Sequence, residues 1–240
     1  MYCQPEKFLY SKKLKRKGTN KIGEGKYGQV FVGCTKKICS HQIAVKKSRD
    51  DMSHEYKMMQ KAYKIAPHHV PRPYQFVKCN GGSIIYYEFI KSKTLSKSKI
   101  DKNVLFKILK TLYKFQKHGI RHNDLHLNNI LIEEGTQRPV ITDFGFANTK
   151  DTSLSANYGI HPNSDPRYDY HLLLNSLFSK HSSVSFISKV IPREYLGMTT
   201  PKVINFRLRY GIKYPGLPSL RQLIHNSYFD SCRKNIAINK

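Results

Sequence analysis

Apolar and polar positions change period twice along the chain. Gly18 to Val32 interleaves glycines with an alternating apolar pattern, and QIAVKK (42–47) is a short β-branched run, so both predict strands. In residues 51–65, Met58, Met59, Ala62 and Ile65 fall at helical spacing, and Pro67 stops the pattern. Two apolar runs within 74–90 flank Asn80-Gly81-Gly82, a strong hairpin signal. After the polar stretch KSKTLSKSK, Val104, Leu105, Ile108, Leu109, Leu112, Tyr113 and Phe115 form a helical stripe that ends near Gly119. NILI and PVITDFG then predict two short strands joined by a polar turn, and helical patterns return at 169–180 and 218–228. The elements predict two lobes joined near residue 90, with no internal repeat.

Composition narrows the class. A chain of 240 residues with 39% hydrophobic and 24% charged residues can bury a sizeable core, which excludes a disulfide-dense miniprotein and wholesale disorder. No apolar run approaches the roughly 20 residues that span a bilayer, and the first residues lack an apolar segment followed by a small-residue cleavage site. The five cysteines, Cys3, Cys34, Cys39, Cys79 and Cys232, are an odd number without a Cys-x-x-Cys pair, so reduced thiols in a cytoplasmic compartment are expected, with no zinc site. The formal charge of +26 favours polyanionic or acidic partners, and SKKLKRKG (11–18) is the densest basic cluster. Scattered lysines also serve plain solubility.

Candidate chemistry lies in five short stretches. IGEGKYGQV (22–30) carries Gly23, Gly25 and Gly28 in G-x-G-x-x-G order, where backbone N–H groups can approach phosphate closely. A strand, VFVG, follows it instead of a helix, which argues against a dinucleotide site. The next strand holds Lys46, and the following helix holds Glu55. Lys47 competes for the role of Lys46, but alternation places Lys46 on the face of Ala44. RHNDLHLNNILI (121–132) sets Asp124, Asn128 and Asn129 around two histidines before a strand, and Asp143 follows in TDFG. Asp124 can accept or orient a hydroxyl proton, while Asn129 and Asp143 are hard oxygen ligands suited to Mg²⁺ on phosphates. His122 and His126 have i, i+4 spacing but lie in a loop without a third ligand, so a metal pair is not expected.

These stretches, in this order across residues 22–145, resemble the signatures of the protein-kinase superfamily: glycine-rich loop, strand lysine, helix glutamate, H-x-D-x-x-x-x-N loop and D-F-G. The resemblance implies an α+β, bilobal kinase-like fold, with a β-rich lobe over 1–90 and a shortened, mainly helical lobe over 91–240. It implies ATP and Mg²⁺, with Ile22, Gly23, Glu24, Gly25, Lys26, Tyr27, Gly28, Val30 and Ala44 around the nucleotide and Lys46 on its phosphates, paired with Glu55. Glu88 and Ile90 would meet adenine through their backbone, behind Tyr87. Asp124 would be the catalytic base, Asn129 and Asp143 the metal ligands. Met59, His122 and Phe144 would stack in an apolar spine, and Asp169 would hold the catalytic-loop backbone.

The chain also departs from that pattern. Asn123 stands where many kinases have arginine, His126 stands where Ser/Thr kinases have lysine, and no A-P-E follows D-F-G before Asp169. The H-x-D-L-H loop is similar to that of haspin-type, lipopolysaccharide and small-molecule kinases. Residues 160–230 resemble the small Ser/Thr kinases of large DNA viruses, which implies an infected-cell cytoplasm, a nucleus or a virion. The resulting expectation is a monomeric Ser/Thr protein kinase without membrane contact, acting on protein substrates of acidic character, with polyanion contact through its basic surface. The alternatives are a small-molecule or carbohydrate kinase and a catalytically weak scaffold that binds polyanions.

Overall fold

The computed structural model describes residues 10–11, 16–17, 20–25, 28–34, 39–149, 165–180, 187, 191, 208 and 216–238. Lys26, Tyr27, most of the 11–18 cluster and most of 160–215 lie outside them. The chain divides into two compact units, Met1–Lys91 and Ser92–Lys240.

The first unit is built on an antiparallel sheet. A short pair, β1 (Tyr10–Ser11) and β2 (Arg16–Lys17), precedes β3 (Asn20–Gly25), β4 (Gly28–Gly33), β5 (Ile43–Ser48), the helix α1 (Ser53–Ile65), β6 (Pro73–Cys79) and β7 (Gly82–Glu88). The five-stranded sheet has the order β3-β4-β5-β7-β6. Because successive side chains point to opposite faces, Val45 packs with Ile84 under Phe31, Ile43, Val77, Cys79 and Tyr86, and its neighbour Lys46 belongs to the other face. Helix α1 buries Glu55, Met58, Met59 and Ala62. The Ser83 hydroxyl fixes its start, accepting from the Met52 N–H at 2.9 Å and donating to the Asp50 carbonyl at 2.6 Å. The Asn80-Gly81-Gly82 turn joins β6 to β7. At Gly82 (φ 150°) a Cβ would fall 2.1 Å from the Ser48 carbonyl oxygen, so glycine is required there.

In the second unit β8 (Ser92–Thr94), β9 (Ile130–Glu133) and β10 (Pro139–Ile141) make an antiparallel sheet in the order β10-β9-β8. Helix α2 (Lys102–Lys117) starts at Asp101, whose carboxylate accepts from the Val104 N–H at 2.7 Å. It buries Val104, Leu105, Ile108, Leu109, Leu112 and Phe115 on one face and ends before Gly119. Each such side chain stabilises the fold by about 1.5–3 kcal/mol. Helix α3 (Tyr168–Lys180) follows, then α4 (Leu220–His225) and α5 (Asp230–Ile238). The Tyr170 hydroxyl donates to the Pro218 carbonyl, and Arg167 grips Asp165 through two bonds at 2.8 and 2.9 Å while reaching the Leu217 carbonyl. No helix among the described residues is long and apolar enough to cross a membrane.

Three expectations need correction. Cys34 and Cys39 form a disulfide, and Cys79 is disulfide-bonded too, so the cysteines are not all reduced thiols. Cys39 lies beside Cys34 with 5.4 Å between their Cα atoms, a closeness that cysteine counting does not reveal. The cysteine argument for a reducing compartment therefore lapses. The helical pattern at 218–228 is α4 broken at Asn226 and followed by a 3-10 turn at Ser227–Phe229, with α5 beyond it. The polar stretch KSKTLSKSK, for which the pattern predicts no element because Ser92–Thr94 offers no apolar alternation, carries strand β8.

Candidate active site

In the first unit, strand β5 and helix α1 bring two charges together. Lys46 Nζ lies 2.8 and 2.9 Å from the two carboxylate oxygens of Glu55, with both side chains buried. Breaking such a pair on one side leaves an uncompensated buried charge, so the pairing fixes where the ammonium sits. Lys47, on the other face, is only partly buried.

Strands β3 and β4 carry the glycines. Gly25 pairs with Gly28, and at Gly28 (φ 153°) a Cβ would lie 2.5 Å from the Lys47 carbonyl, so the strand passes β5 at a distance only glycine permits. Ile22 is exposed, Val30 partly buried and Ala44 buried. Glu24 spends its carboxylate on Lys21 (2.7 Å) and Gln29 (2.9 Å), which hold it below its usual pKa. The Glu88 N–H donates to the Arg72 carbonyl at 2.9 Å, and Ile90 is buried.

In the second unit the segment 121–149 folds back on itself. Arg121 and Asn148 exchange backbone hydrogen bonds at 3.0 and 2.9 Å. Between them the backbone leaves regular structure, and Asn123 (φ 63°) and Asp143 (φ 62°) are both left-handed. Non-glycine residues adopt that conformation only where the surroundings impose it.

Asp169, from the first turn of α3, supplies part of that force. Its two carboxylate oxygens accept from the His122 and Asn123 N–H groups, each at 2.7 Å. Burial pushes the Asp169 pKa up, against the lowering effect of His122, the two backbone donors and Arg121. The Asn123 side chain donates to the Phe146 carbonyl at 3.0 Å, tying the loop to the stretch after Asp143. Asn123, read above only as a lost arginine, thus holds backbone; its signal is that asparagine tolerates the left-handed region better than most residues.

The His122 ring packs on Phe144 (centroids 5.0 Å apart), and its Nε2 is 2.8 Å from the Thr142 carbonyl. That oxygen is an acceptor, so Nε2 carries hydrogen and the imidazole is a structural post. Thr142 in turn donates to the Asn129 carbonyl through both its N–H (2.9 Å) and its hydroxyl (3.2 Å), another contact the sequence did not suggest.

Asp124 and Asn129 are tied together on this segment. Asn129 Nδ2 donates to the Asp124 carbonyl at 2.8 Å and to its carboxylate at 3.1 Å. His126 Nδ1 accepts from the Asn128 N–H at 3.2 Å, which leaves Nε2 to face Asp124 Oδ2 at 3.6 Å. Burial raises the Asp124 pKa, His126 and His122 lower it, and the neighbouring charge of Asp143 raises it again. Two carboxylates that repel one another, beside an amide whose nitrogen is committed and whose oxygen has no described partner, make a donor set that suits a divalent cation.

The family model described as "Protein kinase domain" matches residues 17–160, more than half of the chain. The chain belongs to the protein kinase domain family, which makes it a phosphotransferase of the kinase class, with the sheet-rich first unit and helical second unit of that α+β fold. No curated protein matches the sequence.

Proposed function

We propose that the chain transfers the γ-phosphoryl group of ATP to serine or threonine hydroxyls of proteins. The observation that carries the reading is Asp124, held by the Asn129 amide on a loop whose backbone Asp169 anchors. Asp124 orients the acceptor hydroxyl and takes its proton as the new oxygen–phosphorus bond forms and the bond from the γ-phosphorus to the β–γ bridging oxygen breaks, releasing ADP; burial, joined by the charge of Asp143, raises its pKa and makes it a better base. Lys46, fixed by Glu55, holds the α- and β-phosphates, and Gly23, Gly25 and Gly28 cover them. Ile22, Val30 and Ala44 pack on the adenine, whose edge meets the backbone of Glu88 and Ile90. Asn129 and Asp143 would hold Mg²⁺, which when bound neutralises charge on the phosphates. The rest of the catalysis is positioning.

His126 favours a second reading. An imidazole beside Asp124, where protein kinases of the Ser/Thr type carry lysine, also suits a small hydroxyl acceptor such as a sugar. The test is labelled-ATP transfer with Mg²⁺ to casein, histone and sugar panels, followed by phosphoamino-acid analysis. Phosphoserine or phosphothreonine is expected. Label on sugars alone, or on tyrosine alone, would overturn the protein Ser/Thr assignment.

A further inference from the structure

A cavity lies on the second unit, with no residue of the segment 121–149 in its lining. Helices α2, α4 and α5 line this open cavity of about 370 Å³. Phe106, Tyr113 and Ile224 give it apolar walls, and Lys110, Lys114, Lys117, His225 and Arg233 surround them with nitrogen. Phe106 is itself braced against Phe229, with ring centroids 5.2 Å apart. A volume of this size admits one or two large side chains and is too small for a folded element.

The charge around it is one-sided. Lys107, Lys110, Lys114 and Lys117 recur at steps of three and four residues, so they form one stripe along α2 opposite its buried face. No aspartate or glutamate occurs between Asp101 and Asp124. Asp230 is the acid on the adjoining helix, and it is paired with Arg233, which also donates to the Ile224 and Asn226 carbonyls at 2.7 and 3.0 Å. Lys117 lies over the Tyr113 ring, 5.1 Å from its centroid, so the cationic rim is continuous with the apolar wall.

We propose that this cavity docks a short acidic protein segment carrying an aromatic or aliphatic anchor, the anchor entering between Phe106 and Ile224 and the flanking carboxylates meeting the lysine stripe. Charge complementarity selects this occupant. A second copy of the chain, itself at +26, brings the same sign, and a bare polyanion leaves the apolar walls unused. Such docking would raise the local concentration of a substrate while the transfer site reads only its hydroxyl. That purpose rests on the kinase reading, but binding does not need ATP, so the two fail separately.

The test is fluorescence anisotropy of a labelled peptide in which Phe and Leu are flanked by Asp and Glu, titrated with the full chain without nucleotide. Lys114→Glu with Lys117→Glu, both exposed positions, should weaken binding at least about tenfold, as two attractive pairs become repulsive. Lys97→Glu with Lys99→Glu changes net charge equally on exposed positions outside the cavity lining and should leave binding within about twofold. Replacing Phe and Leu in the peptide by Ser should also weaken it. Equal losses in both double variants, or no loss with the Ser peptide, would overturn the site in favour of general attraction. A loss confined to single-stranded DNA or to phosphatidylserine vesicles, with the peptide unaffected, would overturn the choice of partner. Circular dichroism and thermal melting of each variant confirm that folding is retained.

Discussion

The two units hold their chemical groups by different means. In the first, Lys46 and Glu55 stand on a regular strand and a regular helix, and each constrains the other through a buried ion pair. In the second, Asp124, Asn129 and Asp143 stand on backbone that leaves the regular regions at Asn123 and Asp143, and Asp169, more than forty residues along the chain from His122 and Asn123, holds their N–H groups. A charge on a regular element can be placed from periodicity alone. A charge on a strained loop depends on distant residues whose purpose is to make that loop possible.

This contrast predicts where each unit breaks. Lys46→Met should lower phosphoryl transfer by about 10²-fold or more, by loss of a positioned cation, with the helix spectrum retained; a rate within a few-fold of the parent would remove Lys46 from the phosphate contact. Asp169→Ala should cost about 2–4 kcal/mol in denaturant unfolding, because two buried N–H groups lose their acceptors. No stability change there would mean that the loop holds itself. At Asn123, exchange for Ala should cost about 1–2 kcal/mol from the left-handed backbone, whereas exchange for Gly keeps the backbone and forfeits only the side-chain bond to Phe146. Equal costs for the two would show that conformation is not the constraint.

The pH response should separate the units at opposite ends of the scale, with the smallest effects. Asp51, hydrogen-bonded by Lys78 and by Ser53, has its pKa lowered from 3.8 to about 2, so its contribution is present above pH 3.8 and is lost as pH falls toward 2. Tyr170, whose buried hydroxyl donates to Pro218, has its pKa raised by burial. Its contribution is present below about pH 10, the unfolded value, and is lost above it. Tyr170→Phe should flatten the alkaline loss, and Asp51→Asn the acid one, in pH-dependent melting.

Much of the architecture follows from pattern. The stripe on α2 and the Asn80-Gly81-Gly82 turn gave their elements nearly to the residue, because a helical face and a glycine hairpin are local signals. The preference for Lys46 over Lys47 needed only the strand period, while its pairing with Glu55 was implied by the kinase resemblance. Most of what escaped was set at long range. Ser92–Thr94 is a strand because β9 lies beside it; the Cys34–Cys39 disulfide is local, with a sequence separation of 5, and escaped because cysteine counting carries no pairing geometry. The function of Asn123 lies in a bond to Phe146 and a backbone angle, neither of which its identity announces.

The most direct test of the account is labelled-ATP transfer to a protein acceptor by the parent chain and by Asp124→Asn, which keeps the shape of the side chain and removes its basicity. The account predicts Mg²⁺-dependent label on serine or threonine that falls by about 10²–10⁴-fold in the variant, with the melting temperature unchanged. Transfer that survives Asp124→Asn undiminished would contradict it.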